Sequence, residues 1–237
     1  NIVFMASDLV PNDPPFTASA PAAQRKAFDI ISAPAAWERA ASAANAPLIA
    51  VLDTGIDGTN PDFTGRLAPG ADFVFDNSQL TDGSGHGTHV AGIIAAAGNN
   101  GQGMAGVCWH CRVSPVKVCD SNGDCPLFSI LEGFEFAANN NASVINASFA
   151  GTAPADSQVR EILKRGVDYA AARGVIVIAA AGNNAIDAAA NVPASIAGVL
   201  AVAASGDLDS LSSFSAFGTT VRIAAPGEGI FSLGTGG

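Results

Sequence analysis

Residues 143–182 read SVINASFAGTAPADSQVREILKRGVDYAAARGVIVIAAAG. Two apolar runs rich in Val, Ile and Ala, SVINASF (143–149) and VIVIAAAG (175–182), flank the segment SQVREILKRGVDYAAARG (157–174), which has the pattern of an amphipathic helix. Strands that are apolar along their whole length are buried on both faces, and a helix between two of them is the usual connection in a parallel sheet. The stretch therefore predicts a strand, a helix and a strand of a parallel sheet.

The same alternation continues on both sides of this unit. Further strands are predicted at LIAVLD (48–53) and RVSPVKVC (112–119), and helices at HVAGIIAAA (89–97) and FSILEGFEFAANN (128–140). The last third carries shorter candidate strands, VLAVAAS, FSAF and VRIAAP. We expect an α/β fold with a doubly wound, mostly parallel sheet and helices on both faces.

Composition favours one large globular domain. The chain has 237 residues, of which 49% are hydrophobic and 14% charged, against about 25% charged residues in an average domain. Residues 11–27 are rich in Pro, Ala and Ser, which is typical of a surface linker. We divide the chain into an N-terminal linker (1–27) and one domain (28–237).

The charge balance argues against two classes of partner. Eleven Lys and Arg against 21 Asp and Glu give a net charge of −10, which repels nucleic acid and anionic lipid. No apolar run reaches the ~18 residues of a membrane span. We therefore expect a chain that binds neither nucleic acid nor membrane. The sequence shows no initiator Met and no leader with a basic start and an apolar core, so we expect a processed or partial chain.

Four cysteines fall close together, at Cys108, Cys111, Cys119 and Cys125. Such a cluster forms disulfides in an exported protein, or stays reduced or binds zinc in a cytosolic one. The second pair does not have zinc-ribbon spacing, so disulfides are favoured. Of the three pairings, the short loops favour Cys108–Cys111 with Cys119–Cys125.

Three polar residues are predicted at the carboxyl ends of strands or beside them, where parallel sheets bind ligands. Asp53 ends the first strand, His86 lies in a glycine-rich turn before a helix, and Asn183 follows VIVIAAAG. A carboxylate, an imidazole and an amide are the orienting group, general base and oxyanion donor of an acyl-transfer site.

The motifs DTGID (53–57), GHGTHVAG (85–92), VINASFAG (144–151) and AAAGN (179–183), in this order, resemble those of the subtilisin-like serine peptidases, the subtilases. The interval from Asp53 to His86 is similar to the family spacing of about 32 residues. The resemblance implies a serine endopeptidase that hydrolyses polypeptides through an Asp-His-Ser triad and needs no cofactor for catalysis. Asp53, His86 and Asn183 take the orienting, base and oxyanion roles.

The sequence departs from the family at the nucleophile. Family spacing places the serine about 66 residues after Asn183, beyond Gly237, and no G-T-S-[MA]-A string occurs. We therefore expect a catalytic domain without its nucleophile segment, inactive by itself and with apolar sheet surface exposed. The alternative is a catalytically inactive homologue that binds peptides or has a structural role.

The resemblance also implies binding sites. Ser148, Phe149 and Ala150 would form one edge of a peptide cleft, and the segment from Ser121 to Cys125, which includes Gly123, the other. Ala150 stands where the family usually has glycine. The uncharged walls Phe149, Ala180, Ala181 and Gly182 favour an apolar or aromatic side chain before the scissile bond.

Further expectations follow from the same family. Asp62 and Asn100 would contribute to a structural calcium site. Residues 1–16 resemble the junction of a pro-segment with the mature chain, so the chain's own pro-segment is an expected partner. The resemblance further implies a secreted, monomeric protein.

Two other patterns in the sequence point to different functions, a metal site and a nucleotide site. His86 and His89 form an H-x-x-H pair, but no third metal ligand follows at a metalloprotease spacing, so His89 is expected to be structural. The segment 101–106 matches G-x-G-x-x-G, the pattern of a nucleotide-dependent oxidoreductase, yet it follows a helix instead of linking a strand to one.

Overall fold

A computed structural model describes residues 28, 30–33, 36–37, 46–75, 79–98, 100, 103–108, 110–206 and 208–236. The predicted linker, residues 1–27, lies outside the described residues.

Seven parallel strands form the main sheet, in the order β2-β3-β1-β4-β6-β8-β9. Their bounds are β1 Leu48–Asp53, β2 Ala71–Asp72, β3 Arg112–Lys117, β4 Val144–Ala147, β6 Ile176–Ala180, β8 Val199–Ser205 and β9 Val221–Pro226. Two short strands, β5 (Gly151–Thr152) and β7 (Asn191–Val192), pair antiparallel beside it. The expectation of a mostly parallel α/β sheet is confirmed.

Helices α1 (His86–Ala95), α2 (Leu127–Asn139) and α3 (Gln158–Ala171) pack on the sheet. Alternate residues of a strand point to opposite faces. Leu52 belongs to one apolar cluster with residues of α2 and α3, whereas its neighbour Val51 belongs to another with residues of α1. The helices therefore lie on both faces, as a doubly wound sheet requires.

Most predicted elements are observed, with ends shifted by one to three residues. Helix α1 begins at His86, three residues before the predicted start, because Asp82 accepts the amide hydrogens of Gly85 and Thr88 at its first turn. The prediction of a strand at FSAF (214–217) is wrong. A turn from Ser212 to Ser215 stands there instead, with Ser215 N donating to Ser212 O at 2.9 Å, and Ala216 N then donates to Gly182 O at 2.9 Å.

One region of the sheet on the α1 side is uncovered in the described part of the chain. Ile176 of β6, Leu200 of β8 and Ile223 of β9 are 50%, 39% and 49% exposed. Strands β6 and β8 have a neighbour on each side, and apolar side chains of such parallel strands are normally buried under a helix. The exposed apolar sheet surface expected from the sequence is therefore present.

Both favoured disulfides are present, Cys108–Cys111 and Cys119–Cys125. The first lies beside the apolar cluster that includes α1, and the second closes the loop after β3. Among the described residues, no helix has the length and apolar character needed to cross a membrane.

Candidate active site

Asp53 and His86 come together at the carboxyl end of β1. Asp53 is the last residue of the strand and 2% exposed, and His86 is the first residue of α1. His86 Nδ1 lies 2.7 Å from Asp53 Oδ1. That oxygen also accepts the backbone N–H of Thr54 at 2.8 Å, so the carboxylate is held in one orientation toward the imidazole.

The remaining polar atoms of this pair are buried and unpartnered. His86 Nε2 and Asp53 Oδ2 have no hydrogen-bond partner among the described residues. Burial without a partner is costly for a polar atom. An unpaired Nε2 on an imidazole oriented through Nδ1 is the acceptor that a nucleophilic hydroxyl needs.

The environment of His86 favours its protonated form. Burial lowers the pKa of the imidazole, but the hydrogen bond that its Nδ1–H donates to Asp53 and the negative charge of Asp53 outweigh this and raise the pKa of His86 above its ordinary value. The carboxylate thus stabilises an imidazolium, which is the form that appears when a base accepts a proton.

The buried carboxylate of Asp82, which the sequence analysis missed, connects the turn after Asp53 to the start of α1. Asp82 Oδ1 accepts from Thr54 Oγ1 (2.8 Å) and Gly85 N (2.8 Å). Asp82 Oδ2 accepts from Thr88 N (2.8 Å) and Thr88 Oγ1 (2.7 Å). Asp82 therefore connects the turn after Asp53 to the first turn of α1, which carries His86. The signal was its position just before GSGHGT, in the manner of a helix-capping acid.

Lys117, at the end of β3, was also missed. It is 3% exposed, and its Nζ donates to Thr54 O and, at 3.0 Å, to Cys119 O. The ammonium also lies 5.8 Å from the centre of the Phe75 ring. Lys117 thus ties the turn after Asp53 to the disulfide loop Cys119–Cys125.

A cavity of about 380 Å³ opens beside the pair. Its walls include Asp53, His86 and four of the residues predicted to bind substrate, namely Gly123, Ser148, Phe149 and Ala150. A second cavity of about 290 Å³ shares Gly123, Cys125, Phe149 and Ala150 with the first and continues to β5 and β7. Together they form a groove between the disulfide loop and the segment after β4, and we call it the cleft.

Asn183 and Gly182 lie in the turn after β6. Neither lines the cavity beside His86. Gly182 is buried and Asn183 is exposed, and in the described part of the chain no group forms a hydrogen bond with the Asn183 side chain. Its amide is therefore free to donate to a ligand.

His89 is structural, as expected. Its Nε2 lies 3.2 Å from Ile230 O, and Ser232 Oγ donates to His89 O at 2.6 Å. Burial lowers its pKa, against the effect of the bond to Ile230. His89 thus joins α1 to the segment after β9. The residues described contain no group of three or more His, Cys, Asp or Glu that could hold a metal ion.

Asp62 and Asn100 do lie together, but in an arrangement that does not fit a calcium ion between them. Asn100 Nδ2 donates to Asp62 Oδ1 at 2.8 Å, and Met104 N donates to Asp62 Oδ2 at 2.7 Å. Calcium needs several oxygen ligands, whereas here N–H groups face both carboxylate oxygens. Calcium at these residues stays a prediction.

The fold and the site define a class of protein: an α/β protein with a carboxylate-oriented histidine base at the carboxyl end of its parallel sheet, beside a groove. A profile of the subtilase family (Peptidase_S8) matches residues 44–236. The chain therefore belongs to the subtilase family.

Individual relatives agree with this assignment. The chain is 39% identical over 222 residues to thermitase from Thermoactinomyces vulgaris, covering 94% of this chain and 75% of thermitase. It is 42% identical to the thermophilic serine proteinase of Bacillus sp. (strain AK1), covering 79% of this chain and 45% of that protein. It is 41% identical to a thermostable alkaline protease of Halalkalibacterium halodurans, covering 81% and 50%. The chain thus spans about half the length of the last two relatives.

A solved structure supports the fold. The crystal structure of a cold adapted subtilisin-like serine proteinase superimposes with a TM-score of 0.70 and 32% identity, covering 80% of this chain and 68% of that one.

Proposed function

We propose that this protein is a serine endopeptidase that cleaves polypeptides, with His86 as general base and Asp53 as its orienting partner. One observation carries the proposal: His86 Nδ1 lies 2.7 Å from Asp53, while Nε2 is buried without a partner among the described residues. Relatives of the chain are named as serine proteinases, which supports the same chemistry.

The nucleophile is proposed to be a serine on a segment outside residues 1–237. No described serine is hydrogen-bonded to His86 Nε2. The uncovered sheet face at Ile176, Leu200 and Ile223 is where we place a helix that follows this serine, since that helix would bury the exposed apolar side chains. The unpartnered base His86 and the uncovered sheet face thus both support the proposal of an additional segment that carries the serine and a helix.

The proposed reaction uses the groups as they are placed. The serine Oγ attacks the carbonyl carbon of the scissile bond, and His86 Nε2 takes the hydroxyl proton. The tetrahedral oxyanion accepts a hydrogen bond from the Asn183 amide. As the intermediate collapses, the C–N bond breaks and His86 delivers its proton to the leaving amine. Water then hydrolyses the acyl-enzyme by the same route.

The substrate is proposed to bind in the cleft as an added strand. An extended peptide pairs its main chain with an exposed backbone edge, and side-chain pockets give specificity. Ser148 to Ala150 would form one edge and the loop around Gly123 the other. The uncharged residues Phe149, Ala180, Ala181 and Gly182 favour an apolar or aromatic side chain before the scissile bond.

We also propose that the protein is exported and acts as a monomer. Two disulfides favour an oxidising compartment, because thiols are kept reduced in the cytosol. The pro-segment expected at residues 1–16 would be an intramolecular partner before activation.

The proposal is tested with the natural full-length protein on an unfolded polypeptide such as reduced casein. Cleavage is expected for the natural protein, and loss of cleavage for His86→Ala. His110→Ala is the matched control, because His110 is exposed and outside the cleft. A natural protein that binds casein peptides but does not cleave them would support the peptide-binding alternative instead.

A further inference from the structure

A buried side-chain amide lies beneath the turn that carries Asn183. Asn191, the first residue of β7, is 1% exposed. Its Nδ2 donates to Ala181 O at 2.7 Å and to Asn184 Oδ1 at 3.1 Å. In return, Asn184 Nδ2 donates to Asn191 Oδ1 at 3.0 Å. One amide thus holds the residues immediately before and after Gly182 and Asn183.

The orientation of this amide follows from its partners. The carbonyl of Ala181 can accept a hydrogen bond but cannot donate one, so the NH₂ group of Asn191 has to face it. With this orientation, Asn191 Oδ1 accepts from Asn184 Nδ2, and Asn191 Nδ2 also donates to Asn184 Oδ1. A carboxylate at position 191 would lose the bond to Ala181 and place two oxygens against each other at Asn184.

The turn is also packed directly on the amide. Gly182 has a φ of +120°, and a Cβ built there would lie 2.2 Å from Asn191 Nδ2. A glycine is therefore required at this close approach. Because the gap is filled, a movement of the Asn191 amide would displace Gly182 and, with it, Asn183.

Asn191 also lies next to the far wall of the cleft, although it does not line the cavity itself. It pairs with Thr152 in the β5–β7 ladder, and Val192, the next residue, lines the second cavity. Arg160 fixes this region from α3, since its Nη1 lies 2.5 Å from Ser195 Oγ and Ser195 N donates to Asn191 O at 3.0 Å. One buried residue therefore joins the substrate-binding wall to the turn of Asn183.

We propose that Asn191 is a positioning residue that sets the Asn183 amide for oxyanion binding. This inference rests on the proposed peptidase function. In the proposed mechanism Asn191 contacts none of the reacting atoms. It acts through the backbone at Ala181 and through Asn184, on the two sides of Asn183.

The test is a double-mutant cycle in the full-length enzyme. Asn183→Ala is expected to lower kcat by about 10²–10³-fold, as loss of an oxyanion donor does. Asn191→Asp is expected to lower kcat at least about tenfold, the scale of a small misplacement in an active site, with KM changed less than about twofold. In the Asn183→Ala background, Asn191→Asp should lower kcat by less than about twofold.

The control is Asn140→Asp, an exposed asparagine whose Nδ2 also donates to a backbone carbonyl, that of Phe136. It should keep wild-type kcat. If Asn191→Asp does not fold, Asn184→Ala replaces it in the cycle, since this exposed side chain supplies the other half of the amide pair. Equal losses of kcat with and without Asn183 would overturn the proposal and leave Asn191 a purely structural residue.

A second readout does not depend on activity. Hydrogen–deuterium exchange of the peptide covering residues 181–185 should become at least about tenfold faster in Asn191→Asp and stay unchanged in Asn140→Asp, because a lost anchor lowers local stability. An unchanged exchange rate in Asn191→Asp would contradict the proposal that Asn191 holds the turn of Asn183. A wild-type protein without peptidase activity would instead refute the proposed function, and the exchange result would still decide whether Asn191 holds the turn.

Discussion

His86 Nδ1 lies 2.7 Å from Asp53 Oδ1, whereas the other ring nitrogen is buried with no partner among the described residues. The carboxylate fixes which nitrogen carries the proton in the neutral ring, and so leaves Nε2 as the acceptor. Proton transfer to His86 then creates an imidazolium beside a carboxylate, the arrangement that stabilises the charge.

The activity of the full-length enzyme is expected to rise with pH through the titration of His86. The general base has to be neutral, and Asp53 raises the pKa of His86, so the midpoint of the kcat/KM profile should lie above the ordinary histidine value of about 6.5. Asp53→Asn should lower this midpoint and reduce kcat by about 10⁴-fold. A midpoint below that value in the wild type would contradict the assignment.

The same pair predicts the sign of a stability effect. Because the folded-state pKa of His86 is raised, its contribution to the free energy of unfolding is fully present below the unfolded value of about 6.5. It is lost as the pH rises through the folded-state pKa. The difference in denaturation midpoint between wild type and His86→Ala should therefore shrink over this interval, measured by urea unfolding at several pH values.

Asp82→Asn is expected to destabilise the protein and lower activity together. Burial raises the pKa of Asp82, but hydrogen bonds from Thr88, Thr54 and Gly85 outweigh it, so the net pKa is lowered and the charged form is favoured. Hydrogen bonds to a charged group contribute about 1.5–3 kcal/mol, and we expect a loss of about 2 kcal/mol in urea unfolding at pH 7.

The loss should diminish as the pH falls through the lowered pKa, because the wild-type carboxylate is then protonated as well. Asp156→Asn, an exposed carboxylate outside the cleft, serves as control. Wild-type stability in Asp82→Asn would show that Asp82 does not hold the first turn of α1.

Removing the Cys119–Cys125 disulfide is expected to raise KM about three- to tenfold with kcat nearly unchanged. This bond closes the loop that lines the cleft with Gly123, and a looser loop has to be ordered when substrate binds. The variant is Cys119→Ala with Cys125→Ala. Cys108→Ala with Cys111→Ala is the matched control, since that disulfide lies away from the cleft. Equal KM changes in the two variants would refute a specific role.

Arg160→Lys is expected to raise KM about three- to tenfold, a change of about 0.6–1.4 kcal/mol in binding free energy. The guanidinium donates to Ala153 O (2.9 Å) and Ala189 O (2.7 Å) and thus holds β5 against β7. A lysine ammonium lacks the planar fork that reaches these acceptors together. Arg173→Lys, which alters a guanidinium stacked on the partly buried Tyr169 ring, should leave KM unchanged.

The strand and helix pattern of the sequence was sufficient to predict the parallel α/β fold. The order of the motifs was sufficient to predict that Asp53 and His86 belong to one site. Long apolar strands such as LIAVLD (48–53) are recognisable from the sequence, because a strand buried on both faces needs apolar residues along its whole length. FSAF was misassigned as a strand because its composition is apolar, whereas Phe214 lies in a turn and Phe217 is 46% exposed. Asp82, Lys117, Arg160 and Asn191 escaped the sequence analysis, since their roles depend on backbone carbonyls and amides brought together only by folding.

The most direct test of the central claim is to treat the full-length protein with a fluorophosphonate, which modifies a serine activated by a histidine base, and to locate the adduct by mass spectrometry. We predict one modified serine, outside residues 1–237, and loss of the adduct in His86→Ala. A full-length protein that is not modified, or an adduct that persists in His86→Ala, would contradict the claim that Asp53 and His86 activate a nucleophile.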